Sequence, residues 1–342
     1  MSVRVRFDVR EPERHLVHVT QRFPATPEGE RTFRMAAWVP GSYKIRDFGR
    51  HVQDLTATVG GRKRAVRQTG KDAWMVTGTK DQEVELTFAV YGRELGVRST
   101  HVTSDHAHLF PATLALYDEA SRAQPHEVSC AAPRGWRLWS ALHGSDDEGA
   151  APATVGTAAD YDELIDSPLE LAPPSEVHVV SFTARRKRHR LVFYHPPGGV
   201  DWTRLTKDVR GVVEAAARLF GGLPYDHYTF ITHVAAGHGG GLEHRASTVL
   251  GLDPAGLLTD YEKRFLPLVA HEFFHVWNVK RIQPSAFQPF DLQREVHTDL
   301  LWLFEGFTAY HEPVLLRRAG VIDDARFGEL VAESLGFYEM AL

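Results

Sequence analysis

The chain has 342 residues, long for one domain and suited to two, with 43% hydrophobic and 24% charged residues, ordinary for a globular protein in water. A net charge of −5 argues against nucleic-acid binding, which favours basic faces, and the single cysteine, Cys130, rules out an intrachain disulfide. No apolar run reaches membrane-helix length, and the N-terminal Met1-Ser-Val-Arg-Val-Arg-Phe7 lacks the apolar core of a signal peptide, so a cytoplasmic protein without a membrane partner is expected.

The first elements are strands. Val3–Val9 and Leu16–Phe23 alternate apolar and polar residues, as half-buried strands do, and similar runs follow at 32–39, 83–91, 112–117 and 177–183. Pro40-Gly41 and Gly60-Gly61 punctuate them as turns, and 144–157, rich in Gly, Ala, Asp and Ser, reads as an exposed loop. Residues 1–190 are therefore expected to form an antiparallel β domain. His101, His106 and His108 have no ligand-like surroundings and read as satisfied polar or surface groups. The dense basic run Arg185–Arg190 reads as a solvated strand edge or linker rather than a nucleic-acid or membrane patch.

Beyond residue 190 the pattern changes, making the whole an α+β chain with a mainly helical second domain at 191–342. A strand at 189–195 ends in Pro196-Pro-Gly-Gly199, and Asp201 caps a helix to about Phe220 that carries Val209, Val212, Val213, Ala216 and Leu219 on one side. Tyr228–Val234 returns as a strand. Gly237-His-Gly-Gly-Gly-Leu-Glu-His244 follows, where glycines allow another backbone to approach closely. Helices are expected at about 260–283, 295–318 and 323–341.

The first of these helices holds His271-Glu272-Phe273-Phe274-His275. Residues four apart share a helix face, so both imidazoles can reach one Zn²⁺ with Glu272 beside it as a general base. A peptidase site needs a third protein ligand. Asn278 and Arg281 stand where a third histidine pattern would need Gly and His, which leaves Glu295 and Glu305. Glu295 has polar neighbours, whereas Leu301, Trp302, Phe304 and Thr308 predict burial around Glu305, and a buried carboxylate requires a partner. Glu305 is the preferred ligand. Thr308 and Glu312 fall on its face of the helix and are expected to support the ligands.

His271-Glu-Phe-Phe-His-Val-Trp-Asn-Val-Lys-Arg-Ile282, followed by Leu301-Trp-Leu-Phe-Glu-Gly-Phe-Thr-Ala-Tyr310, resembles the glycyl aminopeptidase family of gluzincin metallopeptidases, many of which carry a PDZ domain after the catalytic one. Trp38–Phe48, with its Pro-Gly-Ser-Tyr, and Tyr161–Pro168 resemble further segments of that family but have no evident catalytic reading. The resemblance implies a thermolysin-like catalytic domain that continues past Leu342, one Zn²⁺ per chain on His271, His275 and Glu305, and Glu272 as base. Gly240, Gly241, Leu242, Glu243 and His244 are similar to the family's Gly-Gly-x-Glu-His and to the Gly-x-Met-Glu-Asn of aminopeptidase N relatives. By that resemblance the segment borders the cleft, its backbone pairs with the peptide, and Glu243 holds the free α-amine. The implied activity is removal of N-terminal residues, small ones such as Gly or Ala, from peptides. An endopeptidase with the same site, or a zinc- or peptide-binding protein without turnover, is the alternative.

Overall fold

The structure, a computed structural model, describes residues 1–142 and 155–341, which form two compact units. The first comprises Met1–Glu176 and Phe290–Val296, the second Val177–Pro289 and His297–Leu342. The division falls at Glu176 rather than at 190, because the strands Val177–Ala184 and Lys187–Tyr194 form a hairpin that is continuous with the sheet of the second unit. Most of the loop expected at 144–157 lies outside the described residues, and Gly156–Ala158 is a short strand.

The first unit holds a seven-stranded sheet and two four-stranded ones. In the large sheet Val3–Asp8 buries Val3, Val5 and Phe7 while its arginines face out, the alternation predicted for it. It pairs antiparallel with Leu16–Phe23 and parallel with His126–Ala131, the one departure from an antiparallel arrangement in this sheet. The run at 112–117 contains a 3₁₀ turn, Pro111–Thr113, and only a two-residue strand, Leu116–Tyr117. His106 and His108 are fully buried, and one carboxylate, Glu170, meets one ring nitrogen of each, at 2.6 and 2.9 Å. The segment 290–296 is anchored inside this unit. Trp38 Nε1 donates to the Asp291 carbonyl at 2.8 Å, the Ala37 amide to Leu292 at 2.8 Å, and Gln293 Nε2 to Met35 at 2.7 Å.

The second unit has a five-stranded sheet as well as helices. Lys187–Tyr194, His227–Val234 and Ser247–Leu252 run parallel, and the short strand Gly241–Glu243 closes one edge antiparallel to Ser247–Leu252. The helix Trp202–Phe220 starts where Asp201 Oδ1 accepts the Arg204 amide at 2.9 Å and stops at Gly221, whose φ of 79° suits glycine. It buries Leu205, Val209, Val212 and Val213 against Phe193, Phe265 and Leu266, whereas Leu219 is exposed. The basic run is a hairpin corner. Arg185 and Arg186 take left-handed backbone at the turn, Arg185 and Lys187 pair with Glu214 and Asp226, and His189 and Arg190 are buried. Among the described residues no helix is long and apolar enough to cross a membrane.

Candidate active site

The helix of the His-Glu-x-x-His segment is shorter than its apolar pattern predicts. A π turn, Tyr261–Phe265, leads into an α-helix that ends at Phe274, and 275–283 continues as turns. His275 keeps right-handed helical backbone (φ −60°, ψ −16°), so it still stacks one turn above His271. Phe265, Leu266, Val269 and Phe273 bury the opposite face in the core. The expected helix at 295–318 starts only near residue 301, again with a π turn, Trp302–Gly306, before Phe307–Arg318. Glu305 lies on that π turn, a rare form of helix that is frequent at functional sites.

His271, His275 and Glu305 place their donor atoms within 4.8 Å of one another. The two Nε2 atoms are 3.1 Å apart and lie 3.6 and 3.7 Å from Glu305 Oε2. Each Nδ1 has an acceptor on its far side: Glu312 Oε1 for His271 and the Asn278 carbonyl for His275, both at 2.6 Å. Those bonds hold the ring protons at Nδ1 and turn two Nε2 lone pairs towards a carboxylate. Such a group repels itself unless a proton or a metal ion sits among it. Tetrahedral zinc, with bonds of about 2.0–2.2 Å, holds its ligand atoms roughly 3.3–3.5 Å apart, so the arrangement fits the ion. Burial, the strongest influence on His271, favours its neutral form. Hydrogen bonds to Glu305 and Glu312 and the charge of Glu272 outweigh it, raising His271 to about 10 without a metal. His275 is held below the ordinary histidine value, chiefly by burial.

Glu305 is not buried as predicted. Its side chain is 39% exposed and Trp302 is 65% exposed, while Phe304 and Thr308 alone turn inward. Its helix is amphipathic about the Phe304–Thr308 stripe rather than enclosed. Glu295 belongs to the segment anchored in the first unit and to neither histidine–carboxylate group of the second.

Thr308 and Glu312 are where helical spacing puts them. Thr308 Oγ1 donates to the Phe304 carbonyl at 2.6 Å and receives Asn278 Nδ2 at 3.2 Å. Asn278, which the sequence reading used only to exclude a ligand pattern, orients His275 through its carbonyl and reaches Phe304 O (3.2 Å) and Thr308 through its amide. It ties the histidine turn to the Glu305 helix. Its position three residues past His275 was the available signal.

A second group overlaps the first. Glu243, Glu272 and His275 are all buried, with their ligand-type atoms within 4.8 Å of one another. Glu272 lies directly under the edge strand, where a Cβ on Gly241 would fall 2.3 Å from Glu272 Oε1 and 2.5 Å from its Cγ. Gly241 is thus required by contact, whereas Gly240 (φ 88°) suits glycine through its backbone. Leu242 is buried in the sheet, and the His244 amide donates to the Ser247 carbonyl at 2.9 Å. Glu243 Oε1 is buried and has no hydrogen-bond partner among the described residues.

The fold is similar to that of solved aminopeptidase-type proteins and zinc metallopeptidases. An aminopeptidase N family protein from Idiomarina loihiensis shares 30% identity with the chain at a TM-score of 0.88, over 95% of this chain and 56% of that one. The M1 zinc metallopeptidase of Deinococcus radiodurans shares the fold at 14% identity and a TM-score of 0.55, over 99% of this chain and 74% of that one. One structure of it, 15% identical at the same TM-score and coverage, is described as bound to a Tyr-Ser-Ala substrate. A search of curated proteins by sequence found no match. The model of the Peptidase M61 N-terminal domain matches residues 4–173, and that of the M61 glycyl aminopeptidase matches residues 264–341. The chain belongs to the M61 glycyl aminopeptidase family. It spans just over half the length of the Idiomarina relative.

Proposed function

We propose that the chain is a zinc-dependent aminopeptidase that removes small N-terminal residues from peptides, with one zinc per chain on His271, His275 and Glu305. The observation that carries this reading is Glu243, a buried carboxylate with a bare oxygen on the edge strand, grouped with Glu272 and His275. An uncompensated carboxylate in that place is costly and calls for a cation, which the ammonium group of a peptide N-terminus supplies.

Zinc, when bound, lowers the pKa of water and polarises a carbonyl. Glu272, buried beside the ligands, takes a proton from the attacking water and returns it to the leaving amine. Glu312 and Asn278 hold the two imidazoles in the tautomer that presents Nε2. Gly241–Glu243 is the last strand of its sheet, the place where an extended peptide adds as a further strand. Glu243 then fixes that peptide by its first residue.

The test compares free and N-acetylated dipeptides. Wild type should prefer the free amine, and Glu243→Ala should lower that preference by roughly one to two orders of magnitude, the worth of one charge-assisted hydrogen bond. Zinc content should not change, because the strand contributes no ligand. An unaltered free-to-blocked ratio in Glu243→Ala would instead mark an endopeptidase, and the absence of any zinc-dependent turnover would reduce the chain to a binding protein.

A further inference from the structure

The family-like segment Trp38–Phe48, which the peptidase site leaves without a role, forms part of a cavity of about 360 Å³ lined wholly by residues of the first unit. Arg46, Phe48 and Arg50 line one side, and Arg93, Glu94 and Arg98, from the loop after the strand Val84–Tyr91, line another. The turn that presents Arg46 is held tightly. Its amide donates to the Ala37 carbonyl and its Nε to Ser42 Oγ, both at 2.7 Å. Tyr43 and Asp47, on either side, have φ of 50° and 52°, a left-handed backbone that non-glycine residues adopt at a cost.

The charge around this cavity is one-sided. Glu94 is its only acidic lining residue, against four arginines. Arg46, Arg50 and Arg93 make no ion pair with a carboxylate among the described residues. Arg50 Nε instead donates to His51 Nε2 at 2.9 Å, which needs His51 neutral; burial first, and then the charge of Arg50, hold His51 below its ordinary value. Arg46 is likewise pushed below the usual arginine range, by burial and then by the charge of Arg98. A fold that brings four guanidinium groups together against one carboxylate leaves an excess of positive charge that an anion offsets best, because guanidinium forks match phosphate oxygens in pairs. Phe48 and Val97, both buried, give the same cavity apolar lining.

We propose that this cavity is a binding site for a small phosphate monoester, with its phosphate among Arg46, Arg50 and Arg93 and its apolar part on Phe48 and Val97. The inference is independent of the peptidase reading, since no residue of the metal group takes part.

Calorimetric titration of the full chain with phenyl phosphate, at fixed ionic strength in a phosphate-free buffer, tests it. Saturable binding is expected, tighter than that of inorganic phosphate or citrate. Arg46→Gln and Arg93→Gln should each weaken it about tenfold or more, the worth of a charge-assisted bond. Arg22→Gln, which removes an exposed arginine paired with Glu85 elsewhere in the unit, should leave it unchanged. If loss of the Ser42 contact unfolds Arg46→Gln, as a melting curve would show, Arg93→Gln on the exposed rim decides alone. Absence of saturable binding overturns the proposal. So does citrate binding more tightly than phenyl phosphate, or binding that ignores both substitutions, as a phosphate held at the metal would.

Discussion

Gly241→Ala is the most direct probe of how Glu272, the proposed base, is seated. The new Cβ would stand 2.3 Å from Glu272 Oε1, 2.4 Å from Cδ and 2.5 Å from Cγ. Ordinary contact between such atoms begins near 3.5 Å, so the carboxylate must retreat by roughly 1 Å or more. Because Cγ is struck as well as the tip, rotating the end of the side chain is not enough, and Glu272 is buried with little room to re-seat. The backbone of Gly241 is not left-handed, so alanine adds no strain of its own. A misplacement of about 1 Å at a reacting group costs on the order of 10²-fold in rate. We expect kcat/KM on a free dipeptide to fall by about that factor while zinc content, read by elemental analysis, stays at wild-type level. In a Glu272→Gln background the same substitution should cost almost nothing further, because the two changes act on one group. A zinc-loaded Gly241→Ala enzyme working at the wild-type rate would refute the reasoning. A variant that melts earlier would show that the edge strand had moved instead.

Glu305→Gln should strip zinc while Glu295→Gln retains it, and equal losses would disprove the ligand choice. Glu312→Gln should weaken zinc affinity about 10–100-fold through the His271 ring, measurable by competition with a chelator. Burial holds His189 and His126 down at about 4, against 6.5 for the free group. Both stay neutral when folded while the unfolded chain takes up protons, so stability is complete above pH 6.5 and falls towards pH 4, by about 1.4 kcal/mol per pH unit for each histidine. His189→Gln should therefore flatten the melting temperature against pH across that window; an unchanged slope would remove His189 from the effect.

The strands of the first unit were legible wherever one face meets water, because burial then writes a period of two, as in Val3, Val5 and Phe7. The three-residue strand Gly241–Glu243 was not legible as a strand, being fully buried and too short for any period. The residue spacing His271, His275, Glu305, Thr308, Glu312 survived because the π turn that carries Glu305 ends at Gly306 and the α-helix Phe307–Arg318 continues it without a break. What failed was the inference from apolar neighbours to burial, since Leu301, Trp302, Phe307 and Tyr310 are apolar or aromatic yet exposed. Composition reports what a residue is, while exposure depends on what else reaches it. The basic run misled for a related reason: a hairpin corner holds charges outside and His189 and Arg190 inside within a few residues.

The crossing of the chain at 290–296 has a consequence for synthesis on the ribosome. The first unit draws hydrogen bonds for Met35, Ala37 and Trp38 from a segment that is made only after the histidine helix. N-terminal domains generally fold first as they emerge, yet these bonds of the first unit wait for the middle of its neighbour. The neighbour in turn receives Glu305 only after that detour, so its two histidines are translated well before their carboxylate partner. A gene cut between residues 176 and 177 would leave the first fragment without the 290–296 segment of its own unit and the second carrying it as an extra. The two units are a pair to be moved, shuffled or expressed together.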